Sequence, residues 1–167
     1  MDFLPAPHKR WDKPGTFRIS PGTKIVLAPS TESGALLYAR MLQEEIRTET
    51  GLEVKILRGA GAPGCILLGL KTDMPPVQYT LEIQEDGVTV MGGSDEALLR
   101  GVTTLMQAVQ RWGAFLPCME IQDWPDLLYR GYYQDVSRGR IPTLESLKKI
   151  TDLLCRYKIN EWQLYIE

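Results

Sequence analysis

The pattern that most constrains this chain is a β-hairpin near its middle. Residues 79–83 alternate apolar and polar side chains, and residues 88–90 resume the alternation after the pair Asp86-Gly87. Aspartate followed by glycine is a turn pair that joins two antiparallel strands through a tight connection. Because an isolated hairpin is only marginally stable in water, other elements of the chain must cover its apolar face.

Two amphipathic helices are predicted to provide that cover. The first has apolar residues at helical spacing from Ala35 to Ile46 and stops at Gly51, and the second follows Ser94 with a wide apolar stripe. Further strands are predicted at residues 16–19, 24–27, 54–56 and 65–68. We therefore predict an α+β domain over residues 16–127, with an antiparallel or mixed sheet and both helices on one face. Residues 1–15 are expected to form an irregular lead-in.

Composition excludes several classes of protein. The chain has 167 residues, of which 44% are hydrophobic and 24% are charged, which suits a packed core and excludes disorder and coiled coil. A net charge of −2 gives no basic field for nucleic acid. No apolar run approaches the roughly 18 residues of a membrane span. The first residues lack the apolar core of a signal peptide, so we expect no membrane partner and favour the cytoplasm.

The chain is also poor in residues for thiol, histidine and metal chemistry. Its one histidine, His8, lies in a proline-rich terminal segment. The cysteines Cys65, Cys118 and Cys155 form no zinc-binding pattern and are interpreted as reduced core thiols. We therefore expect no metal and no cofactor, which leaves carboxylate chemistry.

The pattern changes after Asp-Trp-Pro-Asp at residues 123–126, which Leu116-Pro117 and Ile121 precede. A strand is predicted over residues 129–136, a helix capped by Thr143 follows, and a second strand is predicted over residues 161–166. This order is typical of a βαβ unit with two parallel strands. Because one helix cannot cover both faces of a parallel sheet, we expect residues 128–167 to be the start of a larger α/β domain.

Four short motifs in this part of the chain carry a resemblance. They are Asp-Trp-Pro-Asp at 123–126, Tyr-Arg-Gly at 129–131, Asp-Val-Ser-Arg at 135–138 and Lys-Ile-Asn at 158–160. Together they resemble the entry to the catalytic barrel of family 20 glycoside hydrolases, the β-N-acetylhexosaminidases. The hairpin and the second helix resemble the small α+β domain that precedes this barrel in the family.

The resemblance implies a (β/α)8 barrel, which needs about 250 residues, so residues 128–167 would be its first βαβ unit in truncated form. It also implies a substrate-assisted mechanism, in which an adjacent Asp-Glu pair orients the substrate's acetamido group and protonates the leaving oxygen. In the family this pair follows His-x-Gly-Gly, a motif that this chain lacks. The chain is therefore expected to contain no catalytic residue. The sequence Gly-Gly-Ser-Asp-Glu at 92–96 is interpreted as a helix start instead.

The resemblance singles out several residues of the βαβ unit. Arg130 is the predicted substrate-binding residue, because it matches an arginine that binds hydroxyls of the terminal sugar in the family. Glu167, at the end of the second strand, is a second candidate for sugar binding. Asp135 and Arg138 are predicted to pair with each other and fix a loop, as structural parts of the motif.

Aromatic residues of the second predicted strand have two interpretations. Trp162 and Tyr165 could stack on a sugar, but alternation along a buried strand favours core positions. Trp124 is predicted to anchor the junction between the two domains.

The resemblance implies a parent enzyme that removes terminal β-linked N-acetylglucosamine or N-acetylgalactosamine with retention of configuration, and we expect the 167-residue chain alone to be inactive. Two alternatives remain open. One is a different glycosidase with the same preceding domain, and the other is a non-catalytic carbohydrate-binding or assembly module. The strand at 161–166 is expected to present an unpaired edge, which favours self-association through the barrel strands.

Overall fold

The structure, a computed structural model, describes residues 3–139 and 141–167. These residues form two compact units, Met1–Pro125 and Asp126–Glu167. The elements of the first unit are β1 (Lys9–Arg18), β2 (Lys24–Leu27), α1 (Ala35–Thr50), β3 (Lys55–Arg58), β4 (Cys65–Leu70), β5 (Tyr79–Gln84), β6 (Gly87–Gly92), α2 (Asp95–Trp112) and β7 (Phe115–Asp123). Those of the second unit are β8 (Gly131–Asp135), α3 (Leu144–Arg156) and β9 (Glu161–Tyr165). The helices in the described residues are too short or too polar to cross a membrane.

The first unit is built on one mixed sheet with the strand order β1-β7-β5-β6-β4-β2-β3. The predicted hairpin is present as β5 and β6, paired antiparallel with Ile83 opposite Val88 and Gln84 opposite Gly87. The two connecting residues are therefore Glu85 and Asp86, one position earlier than the predicted pair Asp86-Gly87. Strand β7 pairs antiparallel with β5, whereas β2, β3, β4 and β6 pair in parallel. The α+β class and the mixed sheet predicted from the sequence are therefore confirmed.

Both helices of the first unit pack on the same face of the sheet. Helix α1 contacts α2, β2 and β3, and α2 contacts the central strands β5 and β6. At Gly101 of α2 a Cβ atom would lie 2.5 Å from Val90 and 3.0 Å from the Tyr79 ring, so a larger side chain would push the helix off the hairpin. The apolar stripe of α2 and the inner face of the hairpin thus form the centre of the core.

The amino-terminal segment differs from the prediction. An irregular lead-in over residues 1–15 is wrong from Lys9 onward, because β1 begins there and pairs antiparallel with β7; residues 1 and 2 lie outside the described residues. The first half of this edge strand lacks apolar alternation and makes polar contacts, such as Lys13 Nζ to Glu120 Oε2 at 2.9 Å, whereas Phe17 near its end is buried in the core. A bulge between Asp12 and Thr16 interrupts its register.

A buried polar network ties this segment to the hairpin. The Tyr79 hydroxyl donates to Asp123 Oδ2 at 2.9 Å and lies 2.7 Å from the Thr104 hydroxyl. The other carboxylate oxygen of Asp123 accepts from the backbone N–H of His8 at 3.1 Å and lies 2.9 Å from His8 Nδ1. The imidazole also stacks on Trp124, with ring centroids 4.4 Å apart. The single histidine therefore fixes the segment that precedes β1 to the end of β7.

The second unit is a strand-helix-strand element with a two-stranded parallel sheet, in which β8 pairs with β9 from Gly131 opposite Glu161 to Asp135 opposite Tyr165. Thr143 caps α3 as predicted, since its hydroxyl accepts from the backbone N–H of Ser146. No residue of α3 is buried. Large exposed apolar side chains of this unit are Leu127, Leu128, Tyr129, Tyr132, Tyr133, Ile141, Leu144, Leu153, Tyr157, Leu164 and Ile166. Residues 126–139 and 141–167 therefore have no packed core of their own.

The network around Tyr79 makes the stability of the first unit sensitive to alkaline pH. Burial, assisted by the negative charge of Asp123, raises the pKa of the Tyr79 hydroxyl well above its usual value. Above about pH 10 the unfolded chain loses this proton while the folded chain keeps it, so the free energy of unfolding falls as pH rises. This one group contributes a slope of up to about 1.4 kcal/mol per pH unit.

We expect the free energy of unfolding, measured with urea from pH 9 to 11.5, to fall less steeply with pH in Tyr79→Phe than in wild type. Tyr133→Phe, at a tyrosine that is 56% exposed, is the matched control and keeps the wild-type slope. Equal slopes for Tyr79→Phe and wild type would contradict this explanation.

Candidate functional site

The carboxyl ends of β8 and β9 lie at one edge of the two-stranded sheet, because the strands are parallel. Asp135 and Tyr165 are the last paired residues, and the backbone N–H of Val136 still donates to the Tyr165 carbonyl at 3.1 Å. The residues that follow each strand, Arg138 and Glu167, therefore come together. We call Asp135, Ser137, Arg138, Tyr165 and Glu167 the carboxyl-end cluster.

A tight turn fixes the backbone of this cluster. One carboxylate oxygen of Asp135 accepts from the backbone N–H groups of Ser137 at 2.8 Å and Arg138 at 3.1 Å. The Ser137 hydroxyl accepts from the backbone N–H of Glu167 at 2.6 Å and donates to the Tyr165 carbonyl at 3.4 Å. The chain segments after β8 and β9 are thus joined by side chains of the Asp-Val-Ser-Arg motif.

The Arg138 guanidinium has anionic and aromatic neighbours. Its Nε donates to Glu167 Oε2 at 2.7 Å and lies 3.7 Å from Asp135 Oδ2. Its Nη2 donates to the Tyr165 hydroxyl at 3.0 Å, and its central carbon lies 5.3 Å from the centre of the Tyr165 ring. The side chain is 62% exposed, so these contacts orient the guanidinium more than they stabilise the fold. The predicted approach of Asp135 and Arg138 is present, but the nearer carboxylate is that of Glu167.

Arg130 lies at the opposite end of β8. Its Nε donates to the carbonyl of Lys158 at 2.8 Å, and its Nη1 donates to the carbonyls of Leu127 at 2.5 Å and Leu128 at 3.2 Å. Its backbone N–H donates to Asn160 Oδ1 at 2.9 Å. The Tyr-Arg-Gly and Lys-Ile-Asn motifs therefore meet at the amino ends of the strands. There the guanidinium of Arg130 holds backbone carbonyls together.

The two aromatic residues of β9 point to different faces of the sheet. Trp162 is half-buried and lies opposite Tyr132, and its indole nitrogen is buried. Tyr165 alternates with it and lies on the face that carries Asp135. Its bond to Arg138 gives Tyr165 a polar role that the sequence interpretation missed. The sequence signal for this role was the alternation along β9, which places Gln163, Tyr165 and Glu167 on one face and Trp162 on the other.

The remaining sequence candidates have structural roles. Ser94 caps α2 and accepts from the backbone N–H of Ala97 at 3.2 Å, which confirms the interpretation of Gly-Gly-Ser-Asp-Glu as a helix start. Cys65, Cys118 and Cys155 are free thiols; the first two are buried as predicted, but Cys155 is only partly buried, so its interpretation as a core thiol is wrong. Desolvation raises the pKa of Cys118 and Cys155. Within the part of the chain that the structure describes, no three histidine, cysteine or carboxylate side chains are grouped as metal ligands.

Comparison with known proteins identifies the family. Residues 1–124 match the model of glycosyl hydrolase family 20, domain 2. A β-N-acetylhexosaminidase of Cellulomonas fimi is 34% identical over 120 residues, which is 69% of this chain and 24% of that protein. A β-hexosaminidase of Porphyromonas gingivalis is 26% identical over 178 residues, covering 99% of this chain and 22% of that protein.

Solved structures extend the likeness to both units. The family 20 β-N-acetylhexosaminidase of Streptomyces coelicolor A3(2) matches 99% of this chain and 35% of that chain, with a TM-score of 0.86 at 25% identity. An exo β-N-acetylglucosaminidase of Vibrio harveyi in complex with N-acetylglucosamine matches with a TM-score of 0.83 at 21% identity, covering 98% of this chain and 25% of that chain. The chain thus spans between about a fifth and a third of the length of these proteins. On the match over residues 1–124, this chain belongs to glycoside hydrolase family 20.

Proposed function

We propose that this chain is the amino-terminal part of a β-N-acetylhexosaminidase, and that the cluster after β8 and β9 binds the terminal sugar. Membership of family 20 and the names of its relatives support the reaction class. The structures of a Vibrio harveyi and a Streptomyces plicatus relative with N-acetylglucosamine support a terminal N-acetylhexosamine as the substrate. The substrate-assisted retaining mechanism comes with the family resemblance, and the His-x-Gly-Gly-Asp-Glu motif of that mechanism does not occur in this sequence.

The second unit supports a barrel interpretation. We infer that β8, α3 and β9 are the first strand, helix and second strand of a (β/α)8 barrel. The parallel pairing, the connection through a helix and the exposed apolar side chains are what such a unit shows when its neighbours are absent. Further strands and helices of the barrel would cover these apolar side chains.

The observation that carries the site assignment is the place of the cluster at the carboxyl ends of two parallel strands. Barrel enzymes have their active sites at this end, where loops after the strands surround the substrate. Arg138 and Glu167 lie at this end, whereas Arg130 lies at the amino end and holds backbone carbonyls. We therefore propose Arg138 and Glu167 as the sugar-binding pair and assign Arg130 a structural role.

The chemistry of the pair suits hydroxyl groups. Nη1 of Arg138 makes no hydrogen bond to any residue that the structure describes, so this edge of the planar guanidinium can donate to hydroxyl oxygens of a sugar. The carboxylate of Glu167 accepts from Nε, which balances the charge and leaves acceptor positions for hydroxyl protons. Hydrogen bonds to charged partners discriminate strongly against a ligand that lacks the matching hydroxyls.

Kinetics of the full-length protein test this assignment. We expect the full-length protein to hydrolyse a chromogenic β-N-acetylglucosaminide and the 167-residue chain to give no turnover. Arg138→Ala should lower kcat/KM at least about tenfold, because hydrogen bonds to a charged group are lost. Wild-type kinetics in Arg138→Ala, together with a large loss in a stably folded Arg130→Ala protein, would return the role to Arg130. Turnover by the 167-residue chain would refute its expected inactivity.

The two arginines should also differ in their effect on stability. Arg130→Ala removes three side-chain hydrogen bonds to backbone carbonyls, so we expect the second unit to lose about 1–3 kcal/mol. Arg138→Ala removes only exposed contacts and should cost less than about 1 kcal/mol. Hydrogen exchange of the amides of β8 and β9 in the 167-residue chain measures both. Equal protection in the two variants would contradict the division of roles.

The exposed surface of the second unit predicts self-association of the 167-residue chain. Each strand of the two-stranded sheet has one edge that is unpaired among the described residues, and Leu164 of β9 is 39% exposed. Sedimentation velocity should show dimers or larger species that increase with concentration. Leu164→Lys should shift the distribution toward monomer, whereas a purely monomeric wild-type chain at high concentration would contradict the prediction.

A further inference from the structure

The face of the two-stranded sheet that leads to the carboxyl-end cluster is polar. In register, β8 contributes Tyr133 and Asp135 to this face, and β9 contributes Gln163 and Tyr165. The rings of Tyr133 and Tyr165 lie 6.2 Å apart. Of these side chains, Tyr165 accepts a hydrogen bond from the Arg138 guanidinium, and Asp135 lies 3.7 Å from its Nε.

Tyr165 contacts Arg138 in two ways. Its hydroxyl oxygen accepts from Nη2 at 3.0 Å, and its ring lies 5.3 Å from the central guanidinium carbon. Glu167 binds Nε of the same guanidinium. The guanidinium is thus held through two of its three nitrogens, and the edge at Nη1 keeps a defined direction.

The backbone of Tyr165 is itself fixed. Its carbonyl accepts from the backbone N–H of Val136 at 3.1 Å and from the Ser137 hydroxyl at 3.4 Å. Tyr165 occupies a paired strand position opposite Asp135. The phenol is therefore anchored to a regular strand, which positions a partner more precisely than a loop does.

We propose that Tyr165 is a positioning residue that orients the Arg138 guanidinium for two hydroxyls of a terminal N-acetylhexosamine. The inference rests on the proposed function, because it takes the Arg138 edge as the sugar-binding group. Since the phenol oxygen accepts from Nη2, its own proton points away from the guanidinium, so Tyr165 acts on the sugar only through Arg138. The Tyr165 hydroxyl therefore orients the guanidinium through Nη2 and leaves Nη1 available to the sugar.

A double-mutant cycle in the full-length protein tests the proposal. Tyr165→Phe keeps the ring and removes the hydroxyl, so we expect KM for the chromogenic β-N-acetylglucosaminide to rise about tenfold with kcat changed less than about twofold. In the Arg138→Ala background, Tyr165→Phe should change KM less than about twofold, because the group that it orients is absent. Tyr133→Phe is the matched control on the same face and should keep wild-type kinetics.

The possible results distinguish the positioning role of Tyr165 from the sugar-binding role of Arg138. An equal effect of Tyr165→Phe in both backgrounds, or no effect in either, overturns the positioning role while leaving Arg138 as a sugar-binding residue. Wild-type kinetics in Arg138→Ala overturn the site assignment and the positioning role together. Circular dichroism of each variant excludes loss of folding as the cause.

A second measurement needs no activity. In the 167-residue chain labelled with 15N, the Nε–H of Arg138 should exchange with solvent faster in Tyr165→Phe than in wild type, because the guanidinium loses one of its two anchors. Tyr133→Phe should leave this exchange unchanged, and Glu167→Gln should accelerate it. Identical exchange in Tyr165→Phe and wild type would overturn the positioning role.

Discussion

Parallel pairing of β8 and β9 is the constraint on which the candidate site depends. It places the ends of two strands that are separated by a whole helix at one edge of a sheet. The turn at Asp135 and the bond from the Ser137 hydroxyl then bring Arg138 and Glu167 within hydrogen-bond distance. An antiparallel arrangement of the same strands would put these two residues at opposite ends. The chemistry proposed for the cluster is therefore a consequence of topology.

The first unit meets its physical requirements in a different way. Its helices cover one face of a seven-stranded sheet, and a glycine on α2 allows the helix to approach the hairpin closely. A buried tyrosine and aspartate sit at the end of the central strands, where each polar atom has a partner from another element. This unit therefore has a complete core within its own residues, whereas the second unit leaves its apolar side chains exposed.

Sequence patterns predicted the elements whose stability is local or periodic. The hairpin, α2 and the cap of α3 follow from alternation, a wide apolar stripe and a threonine at the helix start. The strand predicted at residues 16–19 covers only the carboxyl end of β1. The residues from Lys9 onward could not be predicted, because they gain their order from pairing with β7. The sequence of β7 indicates only a lead to the connector, because Pro117 and the polar residues Glu120 and Gln122 obscure a strand that lies between two partners.

In the candidate site, too, some features follow from local sequence patterns and others only from three-dimensional contacts. The Asp-Val-Ser-Arg motif indicated the segment that now carries the proposed site, but the sequence could not show that Arg130 and Arg138 lie at opposite ends of β8. Arg130 and Arg138 flank the same strand, and only the three-dimensional contacts separate a carbonyl-binding arginine from one paired with a carboxylate. Alternation along β9 could place the Tyr165 side chain on this face, but its partner Arg138 is 27 residues away in sequence, so no local pattern indicates the contact.

We propose that the carboxyl ends of β8 and β9 form the sugar-binding edge of a family 20 hydrolase. The decisive measurement is a crystal structure of the full-length protein with bound N-acetylglucosamine. We expect the Arg138 guanidinium and the Glu167 carboxylate to lie within hydrogen-bond distance of hydroxyls of the sugar. A sugar bound by Arg130 at the amino ends of the strands, or one that contacts neither Arg138 nor Glu167, would contradict it.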